Sequence, residues 1–468
     1  MKIQSISIKN FRRFDEAEFR FNEQFTVLIG NNATGKSAIL DALSILTGSY
    51  LLDFKSATKR AIKPVEIRKK VIRVGGIDSL ESQFPVALSC SALVYDEQNV
   101  NADIPMQWSR ELLDANKKTS RLNAREIIKR GREDAKRVQN GDEVILPLMT
   151  YYGTGRLWHK KKDMGATKLE SRDVGYKDCL DPQSNHKLFE KWFRKLELAG
   201  LQKKKTYGIV EAVRTVVKQC IPGCVDFYFD MELEELVVDL EGQGLTSFDN
   251  LSDGYRNMLA IVADITHRAA RLNPQLGADV AKEIRGVVLI DEIDLHLHPK
   301  WQRIVVDNLK AAFPKLQFIA STHSPFIIQS LQPGEVIDLN ASSASDLESP
   351  FASPSPSGEY VNRSIEDIVE DVMGVELPSR SARLQKMFDA ATAYYQALEE
   401  IEALNEDPEM EFMDALSDRD RDSEKAILKA KLDELSAPFS DDMAFHALLK
   451  MERMAAGIDS EEDADETR

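Results

Sequence analysis

Eight residues near the N-terminus have the types and spacing of a phosphate-binding loop. Gly30 is followed after four residues by Gly35-Lys36-Ser37, which matches the pattern G-x-x-x-x-G-K-[ST]. In such a loop, backbone N–H groups converge on phosphate oxygens, the lysine neutralises the β and γ phosphates, and the hydroxyl binds Mg²⁺. We therefore predict that ATP or GTP, with Mg²⁺, is bound by one continuous set of residues: Gly30, Asn31, Asn32, Ala33, Thr34, Gly35, Lys36 and Ser37.

Two acidic residues and a histidine further along the chain could act on the γ phosphate. In GVVLIDEIDLHLHP (286–299), an apolar run leads directly into Asp291 and Glu292. Asp291 can hold Mg²⁺ through water, and Glu292 can orient or deprotonate the attacking water. In LQFIASTHSP (316–325), a second apolar run is followed by His323, whose imidazole could reach the γ phosphate. A histidine alone is more often structural, but the preceding acidic pair favours a functional role for this one.

Besides the helix that follows the phosphate loop, a second helix could bind an anion at its N-terminus. The segment LSDGYRNMLAIVADI (251–265) places Ser252 and Gly254 at the beginning of an apolar helix. One chain does not need two such helix starts for one nucleotide. We therefore predict a head-to-tail pair of chains, in which Ser252 and Gly254 of each copy face the nucleotide held by the other.

These residues require an α/β framework to bring them together. FTVLI (25–29) has the composition of a strand, and SAILDALSILTG (37–48) has a helical apolar stripe that ends at a glycine. The continuous apolar run at 287–290 is typical of a strand buried in a parallel sheet. Ligands of α/β sheets lie at the carboxyl ends of the strands. The sequence thus predicts an α/β fold with a parallel or mixed sheet.

Composition and charge limit the class of protein. The chain has 468 residues, of which 43% are hydrophobic and 29% charged. Its apolar runs are shorter than the ~20 residues that a membrane span needs, and MKIQSISIKNF lacks the apolar region of a signal peptide. We therefore expect a cytoplasmic protein without a membrane-spanning segment. Cys220 and Cys224 form a CIPGC motif, but no second pair or nearby histidine completes a zinc site, which favours ordinary cytosolic cysteines.

Basic residues are concentrated in two segments. The net charge of −16 argues against a protein covered in nucleic-acid-binding surface, although a local basic groove is compatible with it. Residues 55–73 and 116–137 are rich in lysine and arginine. These segments are candidates for DNA contact, and the alternative is that they are solvated helix faces.

The order of segments along the chain suggests a division into domains. We expect residues 1–50 and 145–340 to form the nucleotide-binding head, and 51–144 to form a basic, helical insertion or lid. The Ser/Pro-rich stretch 341–360 has the composition of a linker. Residues 361–468 have helical patterns and end in an acidic tail, DSEEDADETR.

Four motifs in a fixed order resemble those of one ATPase superfamily. GNNATGKS, LSDGYR, VVLIDEID and STHSP are together similar to the motifs of ATP-binding-cassette (ABC) ATPases of the SMC/RecF/OLD type. The opening IQSISIKNFRRFDEAEF is also similar to the first strand pair of that group. The resemblance implies an ABC-type P-loop ATPase head and ATP as the nucleotide.

The resemblance also implies roles for individual residues. Asp291 corresponds to the metal-binding acid, alongside Ser37, and Glu292 to the catalytic base. His323 corresponds to the switch histidine. Residues acting at the interface between two heads would be Ser252, Gly254 and Asp294, the last in the dimer-contact loop. A glutamine loop is not recognisable; LPLMTYYGTGRLW (146–158) occupies about its place, with Tyr152 and Arg156 as candidate substitutes.

Three further stretches resemble one particular family within this superfamily. DLHLHPKWQ, YYGTGRLW and SIEDIVEDVMG are together similar to the PtuA family, the ATPase subunits of Septu antiphage defence systems. Membership would imply a separate HNH nuclease partner of the PtuB type, ATP-dependent control of that nuclease, and no intrinsic nuclease activity. The competing hypothesis is a RecF/SMC-like DNA-repair ATPase that binds DNA without a nuclease partner. A third hypothesis is an ATPase that regulates a toxin.

Overall fold

The chain is described here from a computed structural model. The described residues are 1–74, 77–95, 103–157, 171–182, 186–204, 207–340, 351–352, 363–374, 382–406, 427, 430–431, 433–435, 448 and 451. Two compact units are present, Met1–Gly374 and Val375–Arg468. In the described part of the chain, no helix combines the length and apolar character needed to cross a membrane.

The first unit contains all the strands of the described residues. Numbered along the chain, they are β1 (Lys2–Phe11), β2 (Phe14–Arg20), β3 (Phe25–Ile29), β4 (Lys69–Val74), β5 (Ile77–Ser82), β6 (Val86–Val94), β7 (Ile104–Leu112), β8 (Leu148–Tyr152), β9 (Cys224–Asp230), β10 (Glu235–Leu240), β11 (Gly244–Ser247), β12 (Gly286–Ile290), β13 (Leu316–Ser321), β14 (Val336–Asp338) and β15 (Phe351–Ala352).

The α-helices of the described residues follow the same numbering. They are α1 (Lys36–Thr47), α2 (Arg125–Asn140), α3 (His186–Lys203), α4 (Gly208–Cys220), α5 (Asp253–Leu272), α6 (Val280–Glu283), α7 (Pro299–Gln302), α8 (Val305–Ala312), α9 (Pro325–Ser330), α10 (Ile365–Asp371) and α11 (Ala382–Glu406).

A parallel sheet forms the centre of the first unit. Its strand order is β14-β3-β13-β12-β8, and each pairing is parallel. Every residue of β3, β8, β12 and β13 is buried, which explains their continuous apolar character. The predicted α/β fold with a parallel sheet and the predicted strands at 25–29 and 287–290 are confirmed.

A second sheet packs on the opposite side of α1. Its order is β15-β2-β1-β6-β7, with antiparallel pairing except between β15 and β2. Helix α1 contacts strands of both sheets, and eleven of its residues are buried. Gln317 joins the sheets as well, because its buried side-chain amide accepts from the N–H of Ile3 and donates to the carbonyl of Ile3, both at 2.7 Å.

The prediction that 51–144 is helical was only partly correct. This segment contains α2, but it also contains β4 to β7. Strand β6 alternates between buried and partly exposed residues along VALSCSALV, the period-two pattern of a strand with one face on a core. Since β6 pairs with β1, part of the segment belongs to the second sheet.

The C-terminal segments are helical where they are described. Helix α10 belongs to the first unit, where Ile368 and Val372 are buried. Helix α11 belongs to the second unit. Most of the predicted linker 341–360 and the whole acidic tail 459–468 lie outside the described residues.

Candidate nucleotide-binding site

The glycine loop connects β3 to α1, as the motif requires. Gly35 has a φ of +103°, a left-handed backbone conformation that L residues rarely adopt. A Cβ at this position would lie 2.5 Å from Cζ of Phe14. Gly35 is therefore needed both for the conformation of its backbone and for the close approach of the β1–β2 turn.

Lys36 holds its ammonium group inside the loop. Its Nζ donates to the carbonyl oxygens of Gly30 at 2.7 Å and Asn31 at 3.1 Å. Burial lowers the pKa of the Lys36 ammonium, while the carboxylates of Asp291 and Glu292 oppose this shift. The ammonium thus lies close to the acidic pair at the end of β12.

The neighbouring ends of β12 and β13 position the acidic pair. The Ser321 hydroxyl donates to Oδ1 of Asp291 at 2.6 Å and accepts from the backbone N–H of Glu292 at 2.8 Å. Ser321 was not identified from the sequence, because its contact with the acidic pair depends on the pairing of β12 with β13. One hydroxyl thereby orients both residues of the pair.

Glu292 has an unusual backbone conformation. Its φ is +50°, in the left-handed region that non-glycine residues seldom occupy. Such conformations are costly and persist where the surroundings impose them, often at functional sites. Here the hydrogen bond to Ser321 and the bond from the Leu295 N–H to the Glu292 carbonyl, at 3.0 Å, hold the turn.

These elements enclose a cavity of about 320 Å³. Loop residues from Asn32 to Ser37, the pair Asp291-Glu292 and His323 all line it, so the structure brings most of the predicted site together. Besides Ala38, which directly follows the loop, two further lining residues, Arg12 and Arg13, were missed. They lie in the FRRF turn between β1 and β2, and Arg13 donates to the Ala33 carbonyl.

Ion pairs of Arg12 and Arg60 link the cavity to neighbouring elements. Arg12 forms an ion pair with Asp41 of α1, and Arg60 pairs with both Asp41 and Glu66. Burial raises the pKa of Asp41, and the two arginines oppose the shift. Residues from the β1–β2 turn, α1 and the segment before β4 therefore form one ion-pair network beside the loop.

Asp294 is held within its own chain. Its Oδ1 accepts from the Thr322 hydroxyl at 2.6 Å, which ties the loop after β12 to the residue preceding His323. Asp294 is not among the residues lining the cavity. Its assignment to a contact between two heads remains a prediction.

Ser252 and Gly254 are also absent from the cavity lining among the described residues. Ser252 is the exposed N-cap residue of α5, and its side chain makes no capping hydrogen bond. Gly254 packs against the loop after β12, since a Cβ there would lie 2.5 Å from the carbonyl oxygen of His296. The two residues therefore do not complete the nucleotide cavity of their own chain.

Tyr152 and Arg156 are the candidate substitutes for a glutamine loop. Tyr152 is buried, and its hydroxyl donates to Oδ2 of Asp264 on α5 at 2.9 Å. Burial, with Asp264 next in effect, raises the pKa of Tyr152 well above its usual value. Its contacts indicate a structural role. The side chain of Arg156 lies outside the described residues.

Internal ion pairs occupy several of the basic residues. In segment 55–73, besides Arg60, Arg68 pairs with Asp15 at 2.8 Å and Arg73 with Asp78 at 2.7 Å. Segment 116–137 forms comparable pairs through Arg130, Arg132 and others. The charge exposed to a DNA partner is therefore smaller than the sequence suggests, although Lys69 and Lys70 are exposed on the β4–β5 hairpin.

Comparison with known proteins shows which proteins the chain resembles. A family model described as an AAA domain matches residues 5–221, and one described as "AAA domain, putative AbiEii toxin, Type IV TA system" matches residues 226–329. The retron Vc95 probable ATPase of Vibrio cholerae serotype O1 biovar El Tor is 25% identical over 439 residues, covering 81% of this chain and 80% of that protein. The Septu protein PtuA of Bacillus thuringiensis is 31% identical over 155 residues, covering 33% of this chain and 37% of that protein. An SMC head domain from Thermotoga maritima aligns with a TM-score of 0.39 and 13% identity, covering 72% of this chain and 94% of that one.

The phosphate loop at the end of β3, the acidic pair at the end of β12 and the matching family models define the class of protein. The chain is a P-loop ATPase, with AAA-domain family models matching residues 5–221 and 226–329. Within this class it is related to the Septu protein PtuA.

Proposed function

We propose that the cavity binds ATP and hydrolyses its γ phosphate. The observation that carries this proposal is the convergence of Lys36, the glycine loop, Asp291-Glu292 and His323 on one space of about 320 Å³. Lys36 and the loop N–H groups would hold the phosphates, with Arg12 and Arg13 as additional cations. Glu292 would orient and deprotonate the attacking water, and His323 would contact the γ phosphate.

The residues at the site also suit Mg²⁺. Ser37 and Asp291 supply the hydroxyl and carboxylate oxygens that this ion prefers, and both line the cavity. When bound, Mg²⁺ would neutralise phosphate charge. Ser321 would keep the Asp291 carboxylate in place through its 2.6 Å hydrogen bond.

Two copies would pair head to tail around the nucleotides. This proposal is supported by the position of Ser252, which caps a twenty-residue helix, is exposed and lies outside the cavity of its own chain. The Ser252 side chain makes no capping hydrogen bond among the described residues, and an uncapped helix start favours an anion supplied by another molecule. ATP would then stabilise the pair, because the nucleotide contacts both copies.

Replacing Ser252 with arginine tests the pairing. The long cation should obstruct contact between copies while leaving the distant phosphate loop intact. We expect Ser252→Arg to match the wild-type affinity for ATP at protein concentrations too low for pairing, and to form no ATP-dependent dimer in light scattering at higher concentrations. Ser247→Arg, a change at a partly exposed residue before the helix, serves as the matched control. Normal pairing by Ser252→Arg would contradict the head-to-tail arrangement.

The biological role that we propose is antiphage defence. The chain would act as an ATP-dependent sensor and switch that controls an associated HNH nuclease acting on DNA. Support comes from the retron and Septu ATPases described above, of which the retron protein aligns over most of both chains. ATP can shift the assembly between states only by its differential affinity for them, so pairing would provide the switch.

Co-purification tests the nuclease partnership. The purified chain alone should degrade no DNA with Mg²⁺ or Mn²⁺. Co-expression with the protein encoded by the neighbouring reading frame should yield a stable complex that cleaves DNA. DNA cleavage by the chain alone would overturn the proposed division of labour.

A RecF/SMC-like ATPase that binds DNA without a nuclease is the second candidate. The exposed Lys69 and Lys70 on the β4–β5 hairpin favour it. In that case no HNH protein would be encoded beside the gene, and the chain alone would bind DNA in an ATP-dependent manner. Inspection of the neighbouring reading frame and a DNA-binding titration with and without ATP distinguish the two functions.

A further inference from the structure

A second cavity lies between α3, α4 and β9. Its volume is about 510 Å³, which is within the range of about 300–1,000 Å³ that is usual for small-molecule sites. It shares no described lining residue with the nucleotide cavity. A molecule bound here would therefore be a ligand other than the ATP of the phosphate loop.

A buried ion pair connects the three elements around this second cavity. Oε1 of Glu197, on α3, accepts from Nη2 of Arg214, on α4, at 2.6 Å. Oε2 of the same carboxylate accepts from the backbone N–H of Phe229, on β9, at 2.8 Å. The Glu197 side chain is only 8% exposed. The wall of the cavity is therefore held in place by its own hydrogen bonds, and Arg214 compensates the charge of Glu197.

The charge on the described lining residues is positive. Lys204 and Arg214 are the cations, and Glu197 is the one acidic residue among them. Glu211 approaches Arg214 at 3.6 Å, but it is half exposed and is not one of these lining residues. Lys204, which directly follows α3, is exposed and has no ion-pair partner in the described part of the chain. The ammonium of Lys204 is therefore available to a ligand.

The rest of the cavity is mainly apolar or aromatic. Val210 and Phe229 are buried in its wall, whereas Leu201 is 67% exposed. Tyr207 and Tyr228 contribute aromatic rings with a hydroxyl group each. Sites for small molecules combine a largely apolar lining with a few polar groups that fix the orientation of the ligand. Covering Leu201 with an apolar group would be favourable, because it removes exposed apolar surface from water.

We propose that this second cavity binds a small organic anion with an aromatic or acyl body. The body would cover Leu201, Val210 and Phe229, and the anionic group would lie beside Lys204. Carboxylate, sulfonate and phosphate oxygens all accept charge-assisted hydrogen bonds from an ammonium group. A cationic ligand of the same shape would place its charge near Lys204 and Arg214, so the lining favours anions. This proposal does not depend on ATP hydrolysis or on head-to-tail pairing.

Two fluorescent probes distinguish the anionic contact from the apolar one. Anilinonaphthalene sulfonate carries an anionic group, and phenylnaphthylamine has the same ring system without it. The full-length chain would be titrated with each probe in the presence of Mg²⁺ and a non-hydrolysable ATP analogue, which keep the probes out of the nucleotide cavity. We expect saturable binding of both probes to the wild-type chain. Failure of the sulfonate probe to bind would overturn the proposal.

Lys204→Glu tests the contact with the anionic group. Because the variant places a carboxylate where the ammonium was, we expect its affinity for the sulfonate probe to fall by about tenfold, as for the loss of one hydrogen bond between charged groups. Its affinity for the neutral probe should stay unchanged. Lys203→Glu is the matched control, since Lys203 is exposed, changes the net charge equally and is not among the described lining residues. Equal effects of the two substitutions would contradict a contact with Lys204.

Leu201→Glu tests whether the probes bind in this cavity. Both probes should lose at least tenfold in affinity, because a carboxylate would replace an apolar contact of the ligand body. Leu198→Glu, at a 43% exposed residue of α3 that is not among the described lining residues, should bind both probes normally. Thermal midpoints of the variants would verify that each is folded. Wild-type affinities in Leu201→Glu would place the probes elsewhere, and equal losses in both leucine variants would indicate a broad surface of α3. Either result would overturn the proposal.

Discussion

At the scale of single residues, the site depends on a few backbone and side-chain positions that accept few alternatives. The backbone of Gly35 must adopt a left-handed conformation, and this residue must lie against Phe14. The Lys36 side chain must reach across the loop to the carbonyl of Gly30. Ser321 connects to both members of the acidic pair through one hydroxyl. Changes in the loop should therefore affect ATP binding, and changes in the acidic pair should affect ATP hydrolysis.

Lys36→Ala should weaken ATP binding by about a hundredfold or more, as for other truncated partners of buried charge pairs. The reason is that the β and γ phosphates would lose the ammonium group within the loop. An equilibrium titration with a fluorescent ATP analogue would measure the effect. Lys195→Ala, on the exposed face of α3, is the matched control and should bind ATP normally. Unchanged affinity in Lys36→Ala would remove the phosphate-loop assignment.

Glu292→Gln should separate binding from hydrolysis. The amide has nearly the shape of the carboxylate but cannot accept a proton, so we expect ATP binding to persist and kcat to fall by about 10²- to 10⁴-fold. Phosphate release would measure kcat, and light scattering should show longer-lived ATP-bound assemblies. Hydrolysis at the wild-type rate would show that another residue is the general base.

At the scale of elements, α5 runs from the loop after β12 into the interior of the first unit. Its first turn contacts the loop after β12, and Asp264 in its middle accepts from Tyr152 of β8 and pairs with Arg268 at 2.7 Å. Further along, His267 packs against Trp192 of α3, with ring centroids 4.5 Å apart. The helix is therefore held by polar contacts on the sheet side and by aromatic contacts on the α3 side.

The buried His267 side chain should make the free energy of unfolding depend on pH. Burial lowers the pKa of His267 to about 3, with Asp264 opposing and Arg268 and Arg271 adding to the shift. Because the folded pKa is below the unfolded value of about 6.5, the unfolded state binds a proton first. The free energy of unfolding should therefore be greatest above pH 6.5 and should decrease as pH falls from there toward 3.

His267→Phe should weaken this pH dependence. Phenylalanine keeps an aromatic ring against Trp192 but has no group to protonate. Thermal midpoints of both proteins at pH 8 and pH 5 would measure the effect, and the drop between these conditions should be smaller for the variant. Equal drops in the two proteins would show that other groups dominate acid destabilisation.

At the scale of the whole molecule, the boundary of the first unit affects how the C-terminal region can be tested. Helix α10 lies in this unit, and the Asn340 side chain donates to the Val372 carbonyl at 2.8 Å. Gln329 likewise donates to the Arg363 carbonyl at 3.0 Å. A truncation at the predicted start of the C-terminal region, residue 361, would therefore remove part of the packed unit.

Truncation after Gly374 should preserve the ATPase head, whereas truncation after Asn362 should destabilise it. The shorter chain loses the buried Ile368 and Val372, and uncovering each such side chain costs about 1.5–3 kcal/mol. Thermal midpoints with and without ATP would compare the two. Equal midpoints would mean that α10 contributes little to the stability of the unit.

Truncation after Gly374 also tests a hypothesis about the second unit, namely that exposed apolar residues of its helix α11 dock the partner protein. In α11, Phe388 and Tyr395 are 44% and 40% exposed, and apolar helix faces commonly mediate recruitment. We expect the chain ending at Gly374 to bind ATP but to lose the co-purifying nuclease. Retention of the nuclease would place docking on the ATPase head.

The sequence by itself determined the parts of the site that depend on local physics. Glycines at two fixed positions, an apolar run before each functional residue and a helical stripe after the loop are local signals, and they located β3, α1, β12 and β13. The tertiary structure decided the parts that depend on residues far apart in the chain. Pairing of β6 with β1, the entry of Arg12 and Arg13 into the cavity, and the approach of Gly254 to His296 all arise from long-range packing. Local pattern cannot specify such contacts, because the same segment is compatible with several neighbours until the sheets and α1 have packed together.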